Sequence, residues 1–190
     1  MKVVGLCGPS GVGKTTLTVH LIQALRALGQ RVSVVKHAHK RFDIDHPGKD
    51  SMRVREAGAA DVVIANDHRL AVVREFDGPR QLTVQQMLAE VPSTGRPDQW
   101  VLVEGFKHAA LPKIEVWRGE VHPGAFYPGD PQIVAIATDT PGALPMPTAL
   151  PVFLLNDAPA IARFLLHDSA RYEYPAPGPQ GVADEAAAQR

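Results

Sequence analysis

The residues Gly8-Pro9-Ser10-Gly11-Val12-Gly13-Lys14-Thr15 follow the pattern Gly-x-x-x-x-Gly-Lys-Ser/Thr. The chemistry this spacing serves is the holding of a triphosphate. Glycines let the backbone curl until successive N–H groups face phosphate oxygens, and the N-terminus of the following helix adds a favourable dipole. Lys14 is then placed to reach the β and γ phosphates, and the Thr15 hydroxyl to bind magnesium. An apolar run from Lys2 to Cys7 leads in and an amphipathic helical pattern leads out. A glycine-rich turn without a ligand is the bland alternative. Strand, loop, lysine, hydroxyl and helix in register argue against it, and the stretch implies binding of a nucleoside triphosphate.

Such a loop needs an acidic group on a neighbouring strand, to hold the magnesium shell or to orient an attacking water. Glu104 closes the apolar run Trp100-Val101-Leu102-Val103 just before Gly105, which suits that task. Asp usually serves a magnesium shell, so the part played by Glu104 is left open. Asp43 and Asp45 are rivals for the magnesium or for the water, and either also suits a turn before Pro47-Gly48. His37, His39 and His46 stand among them, which invites a transition-metal reading. No cysteine accompanies them and no helical i, i+4 spacing is present. With Lys36, Lys40, Lys49 and Arg53 close by, contact with a phosphate-bearing partner is an equal reading. There is no Asn-Lys-x-Asp motif to read guanine. Asp139, after the apolar run from Ile133 to Ala137, is the best candidate to accept a hydrogen bond from a purine, with a simple turn as the alternative.

These residues need a scaffold. Leu17, Leu21, Ile22, Leu25 and Leu28 share one face of a helix that starts at Lys14 and stops at Gly29. Arg31 to Lys36 reads as a second strand, giving a right-handed βαβ unit with a parallel sheet. The polar segment from His37 to Asp50 follows that strand's carboxyl end, where ligand sites lie in open α/β sheets. Asp50-Ser51 is placed to cap a short helix through Glu56. Asp61 to Ala65 and Leu70 to Phe76 read as a hairpin or adjacent strands, and Thr83 to Val91 as a helix with Val84, Met87, Leu88 and Val91 inward. Trp100 to Glu104, Lys113 to Arg118, Gln132 to Ala137 and Val152 to Leu155 are further strands. Asn156-Asp157 caps a last helix. Gly119 to Pro131 reads as an exposed loop. The expected organisation is an α/β domain over residues 1–168 and a disordered tail over 169–190, whose composition is Pro, Gly, Ala and charge.

The 190 residues suffice for one such domain, and Lys plus Arg balances Asp plus Glu at 20 each. A neutral chain gives no field that favours nucleic acid or a membrane surface. The single cysteine, Cys7, reads as a small buried hydrophobe, and the absence of an internal disulfide fits a reducing compartment. A strand at the very N-terminus leaves no room for a signal peptide, and no apolar run approaches a membrane span. A soluble cytoplasmic protein is expected.

The phosphate loop, Val35-Lys36-His37-Ala38-His39, Phe42-Asp43-Ile44-Asp45, Pro47-Gly48-Lys49-Asp50-Ser51, Arg55-Glu56-Ala57-Gly58-Ala59, Leu102-Val103-Glu104-Gly105-Phe106-Lys107 and Lys113-Ile114-Glu115-Val116 together resemble the MobB family of molybdopterin-guanine dinucleotide biosynthesis adaptors. The resemblance is close from Met1 to Arg118 and loose beyond. It implies a three-layer P-loop NTPase fold, with a mostly parallel central sheet flanked by helices. It also implies a homodimeric GTP-binding protein with weak GTPase activity. Its partners would be molybdopterin and the MobA-like guanylyltransferase that joins GMP to it. On this resemblance Gly8 to Thr16, including Thr16 itself, hold the GTP phosphates and Mg²⁺, and Glu104 and Asp45 lie near metal and water. The basic, histidine-bearing loop would face nucleotide, pterin or partner. Lys40 and Arg41 depart from a more histidine-like run, which weighs against a transition metal there. Two other P-loop readings compete. A small-molecule kinase usually carries an arginine-rich lid, and Gly119 to Pro131 holds no arginine. A nickel-insertion GTPase would need exposed Cys/His pairs.

Overall fold

The computed structural model describes residues 1–38, 42–92 and 96–175. His39 and the expected tail beyond residue 175 lie outside the described residues. In chain order the elements are β1 (Lys2–Cys7), α1 (Lys14–Ala27), β2 (Arg31–Lys36), α2 (Asp50–Glu56), β3 (Asp61–Asn66), β4 (Arg69–Arg74), α3 (Val84–Ala89), β5 (Gln99–Glu104), β6 (Lys113–Trp117), β7 (Ile133–Thr138), β8 (Val152–Leu154) and α4 (Ala158–His167).

Strands β1, β5, β6 and β7 are buried at every position. The apolar runs of β1, β5 and β7 belong inside a parallel sheet covered on both faces, whereas Lys113 and Glu115 alternate along β6 and are buried with hydrogen-bond partners. These strands lie in a six-stranded sheet of order β2-β5-β1-β6-β7-β8, in which every neighbouring pair is parallel. Alternate side chains feed two cores. Val4 and Leu6 of β1, with Trp100 and Leu102 of β5, pack with Leu17, Leu21 and Leu25 of α1 and with Ile161 and Leu165 of α4. Val3, Val101 and Val103 point the other way and meet Val84 and Leu88 of α3. Fully burying a leucine contributes about 2 kcal/mol, so the α1 stripe holds that helix to the sheet. The result is the expected three-layer P-loop architecture.

Several details differ from the sequence reading. Leu28 is 44% exposed, because α1 ends one residue earlier, and Thr18 takes a buried place on its inner face. Asp50 is the first residue of α2, whose N-cap is Lys49, with no side-chain cap. The segment from Gly119 to Pro131 is not wholly exposed. Buried Glu115 on β6 accepts hydrogen bonds from the Phe126 and Tyr127 amides at 2.8 and 2.7 Å, and Tyr127 is buried with them. The packed chain also continues past Ser169. Tyr172 is buried against Trp100 with ring centroids 5.4 Å apart, and Glu173 forms an antiparallel bridge to Lys2. Residues 169–175, read as the start of a disordered tail, thus pack on the domain, since one aromatic ring finds an apolar seat.

Two compact units divide the chain: residues 1–37 with 83–190, and residues 38–82. The second holds α2 and the antiparallel β3–β4 hairpin. No residue from 42 to 82 is buried. The β-branched runs that suggested strands do form strands, yet Val63, Leu70 and Val72 are exposed.

A phosphate loop with a threonine–glutamate–lysine cluster

Three glycines set the loop between β1 and α1. Gly8 has φ +138°, and a Cβ there would stand 2.4 Å from the Val116 carbonyl oxygen. Only glycine fits that close approach. Gly13, at φ +99°, is the N-cap of α1 and has no side chain to satisfy the first amides. Those amides are thus presented outward at the positive end of the helix dipole. Val12 is fully buried and pins the loop to the core. Pro9, Ser10 and Gly11 form the crest of the turn, with Gly11 at φ +85°.

Lys14 curls back over this loop. Its Nζ donates to the carbonyl oxygens of Gly8 at 2.8 Å and Pro9 at 2.6 Å. Partial burial pulls its pKa below the ordinary lysine value, and Glu104 opposes that shift. One residue on, the Thr15 hydroxyl donates to Glu104 Oε1 at 2.7 Å. The pairing follows from topology: β5 lies beside β1 with Leu6 opposite Glu104, so the end of β5 comes level with the start of the loop. Glu104 is 8% exposed. Thr16 follows on the exposed side of α1.

Lys36 completes the cluster, and sequence reasoning did not single it out as a site residue. It closes β2 directly opposite Glu104. Its Nζ lies 3.0 Å from Glu104 Oε1 and 3.2 Å from Thr15 Oγ1. The available signal was a lysine ending one strand as the glutamate ends another. Beyond Glu104 the chain turns sharply, with Gly105 at φ +100° and Phe106 at φ +50°. A left-handed phenylalanine is costly, of order 1 kcal/mol, and such strain gathers at functional sites. The turn brings the Phe106 ring to 4.9 Å from the His37 ring, whose backbone amide donates to the Glu104 carbonyl at 3.0 Å.

The other candidates are engaged elsewhere. Asp139, at the end of β7, accepts from Arg118 Nε at 2.6 Å in an exposed pair. Asp43 and Asp45 belong to the 38–82 unit, where both meet Arg55, at 3.0 and 3.4 Å. Ser51 Oγ donates to Asp45 at 2.8 Å, and Glu75 takes the other side of the guanidinium at 2.6 Å. Hydrogen bonds hold both aspartates below the usual carboxylate range, the Asp45 amide leading for Asp43 and the Ser51 hydroxyl for Asp45. Among the described residues no three His, Cys, Asp or Glu side chains gather as a metal site. Cys7 is buried, and burial first, then Glu115, push its thiol up to about 12. It stays a neutral, apolar-seated thiol, as its sequence setting suggested.

This loop and cluster sit in a chain whose residues 3–139 match the family model MobB, molybdopterin guanine dinucleotide synthesis protein B. The chain belongs to the MobB family. It is 40% identical over 158 residues to the molybdopterin-guanine dinucleotide biosynthesis adapter protein of Escherichia coli (strain K12), covering 83% of this chain and 87% of that protein. The protein of the same name from Haemophilus influenzae is 37% identical over 165 residues, 87% of this chain and 88% of that one. The crystal structure of a MobB protein homolog from Bacillus stearothermophilus superposes with a TM-score of 0.64 at 26% identity, over 90% of this chain and 99% of that one. The MobB match includes the loop, Lys36 and Glu104, and stops at Asp139. No helix among the described residues is long and apolar enough to cross a membrane.

Proposed function

We propose that this member of the MobB family is a GTP-binding adaptor with slow GTPase activity, acting in the cytoplasm as a homodimer. Its partner would be the MobA-like guanylyltransferase that attaches GMP to molybdopterin. The observation that carries the nucleotide part is the Thr15–Glu104 pair beside an outward-facing helix N-terminus. Hard oxygen donors of that kind suit Mg²⁺, and Thr15 and Glu104 are the residues that would hold it. Magnesium, when bound, supplies charge neutralisation on the phosphates. Lys14 already lies on the loop and has only to exchange two carbonyl partners for phosphate oxygens. Asp45 at the attacking water, Asp43 at the metal and Asp139 at the base complete the reading. Their present partners, Arg55 and Arg118, would then be exchanged for ligand. The adaptor role comes from what the relatives are named for, and the guanylyltransferase partner from the resemblance to the family.

Fluorescent GTP and ATP analogues titrated with magnesium test the first half. Preferential GTP binding is expected, and ATP binding with no GTP binding would sink it. Lys14→Ala should weaken triphosphate binding by at least about a hundredfold, since a charge-assisted contact worth roughly 3 kcal/mol is lost. An unchanged Kd in that variant means the phosphates sit elsewhere. For the adaptor half, a strain lacking this protein should make less molybdopterin-guanine dinucleotide, and normal levels would refute the assignment.

A further inference from the structure

Thr15 Oγ1 carries one proton and two lone pairs. In the structure the proton is directed to Glu104 Oε1 at 2.7 Å, and a lone pair faces Lys36 Nζ at 3.2 Å. The same Nζ is 3.0 Å from Glu104 Oε1. The two oxygens that would serve a magnesium ion are thus already bridged by a cation. Mg²⁺ binds oxygen at about 2.1 Å, so an ion on Thr15 Oγ1 and Glu104 would stand within a few ångströms of the Lys36 ammonium, and the two positive charges would repel strongly in a part-buried site. That repulsion favours the departure of one of the two cations.

The partners differ in freedom. Glu104 sits at the end of a strand paired on both sides, and its side chain is 10% exposed. Lys36 ends the edge strand β2, and its side chain is 51% exposed. Lysine keeps a flexible four-carbon stem and a compact charge, so it can withdraw into water with little loss. We propose that Lys36 is the resident cation of the magnesium seat. It holds Thr15 and Glu104 in place while metal is absent, and yields when Mg²⁺ arrives with nucleotide. It thereby sets the magnesium concentration at which triphosphate binding is complete. This rests on the nucleotide-binding reading above. Lys36 is a positioning residue here: it acts through Thr15 and Glu104.

Equilibrium binding of a fluorescent GTP analogue to the full chain, titrated with magnesium from an EDTA baseline, tests this without reference to turnover. In Lys36→Met the magnesium midpoint should fall by about tenfold, because magnesium no longer has to displace an ammonium group from the two oxygens. The residual binding without magnesium should weaken in the same variant, because the substitute cation is gone. Lys36→Arg should restore both. A lysine with only a structural part would weaken both binding modes together. A midpoint unchanged or raised in Lys36→Met, in protein whose thermal unfolding matches wild type, overturns the proposal and leaves nucleotide binding intact. Lys36→Gln gives the same comparison should the methionine variant fold poorly. Wild type that binds no GTP at any magnesium concentration overturns both.

Discussion

A methyl group on Gly8 would bring its Cβ to 2.4 Å from the Val116 carbonyl oxygen, with φ at +138°. Backbone cannot retreat as a side-chain tip can, so the loop itself has to shift. Gly8→Ala should therefore lower unfolding free energy by about 3 kcal/mol and abolish triphosphate binding. Urea unfolding alongside nucleotide titration reads both, and a stable, binding-competent variant would show that the loop is not held against β6. Lys14, Thr15 and Glu104 make the same point in polar terms. Lys14 is held by the Gly8 and Pro9 carbonyls and Thr15 by Glu104, at 2.6 to 2.8 Å, so on the proposed function ligand binding would be an exchange of partners.

At the scale of elements, β6 does more than extend the sheet. Its Glu115 is fully buried and holds the following segment through the amides of Phe126 and Tyr127. Burial raises the Glu115 pKa, while those two amides pull it back down and Asp130 adds to the rise. A carboxyl whose folded pKa is raised takes up its proton more readily folded than unfolded. Its contribution to stability is therefore greatest in acid and falls as pH rises from about 4 through the raised value. Compared with non-titrating Glu115→Gln, wild type should lose ground as pH climbs from about 4 to 7. Urea midpoints measured across that range check the sign. A wild type that gains ground would mean that the two amide bonds outweigh burial. Helix α3 shows a local device that sequence could supply alone: Thr83 accepts from the Gln86 amide while the Gln86 side chain accepts from the Thr83 amide. Such a capping box starts a six-residue helix that would otherwise be marginal.

For the whole molecule, the two units differ in how they are held. The six-stranded unit has apolar clusters on both faces of its sheet. The unit from 38 to 82 has no buried residue from 42 on, and relies on a hairpin and on Arg55 with its three acids. Stability follows buried apolar area, so local opening should be far easier there. Amides of β3 and β4 should exchange with solvent at least about a hundredfold faster than those of β1 and β5 in dilute protein. The exposed Val63, Leu70 and Val72 of this hairpin suit pairing with a second copy in the proposed homodimer. In that case hairpin protection should rise with protein concentration, and protection independent of concentration would count against the hairpin as the homodimer contact. Hydrogen exchange by mass spectrometry at two concentrations distinguishes the outcomes.

Local chemistry was legible in the chain itself. The loop from Gly8 to Thr15, the stop at Gly29, the order of strands and helices and the carboxylate at Glu104 follow from spacing, periodicity and turn residues, which act over a few positions. The strand order β2-β5-β1-β6-β7-β8 was not legible, because it depends on which distant strands pair. From that order came the meeting of Lys36, Thr15 and Glu104, residues far apart in sequence yet level at the ends of three adjacent elements. The burial of Glu115 and the ordered seat of Tyr172 are also long-range outcomes. Sequence thus determined where the glycine-rich loop lies and that a strand and a helix flank it. The fold decided which charges surround it, since electrostatic partners are set by distance in space.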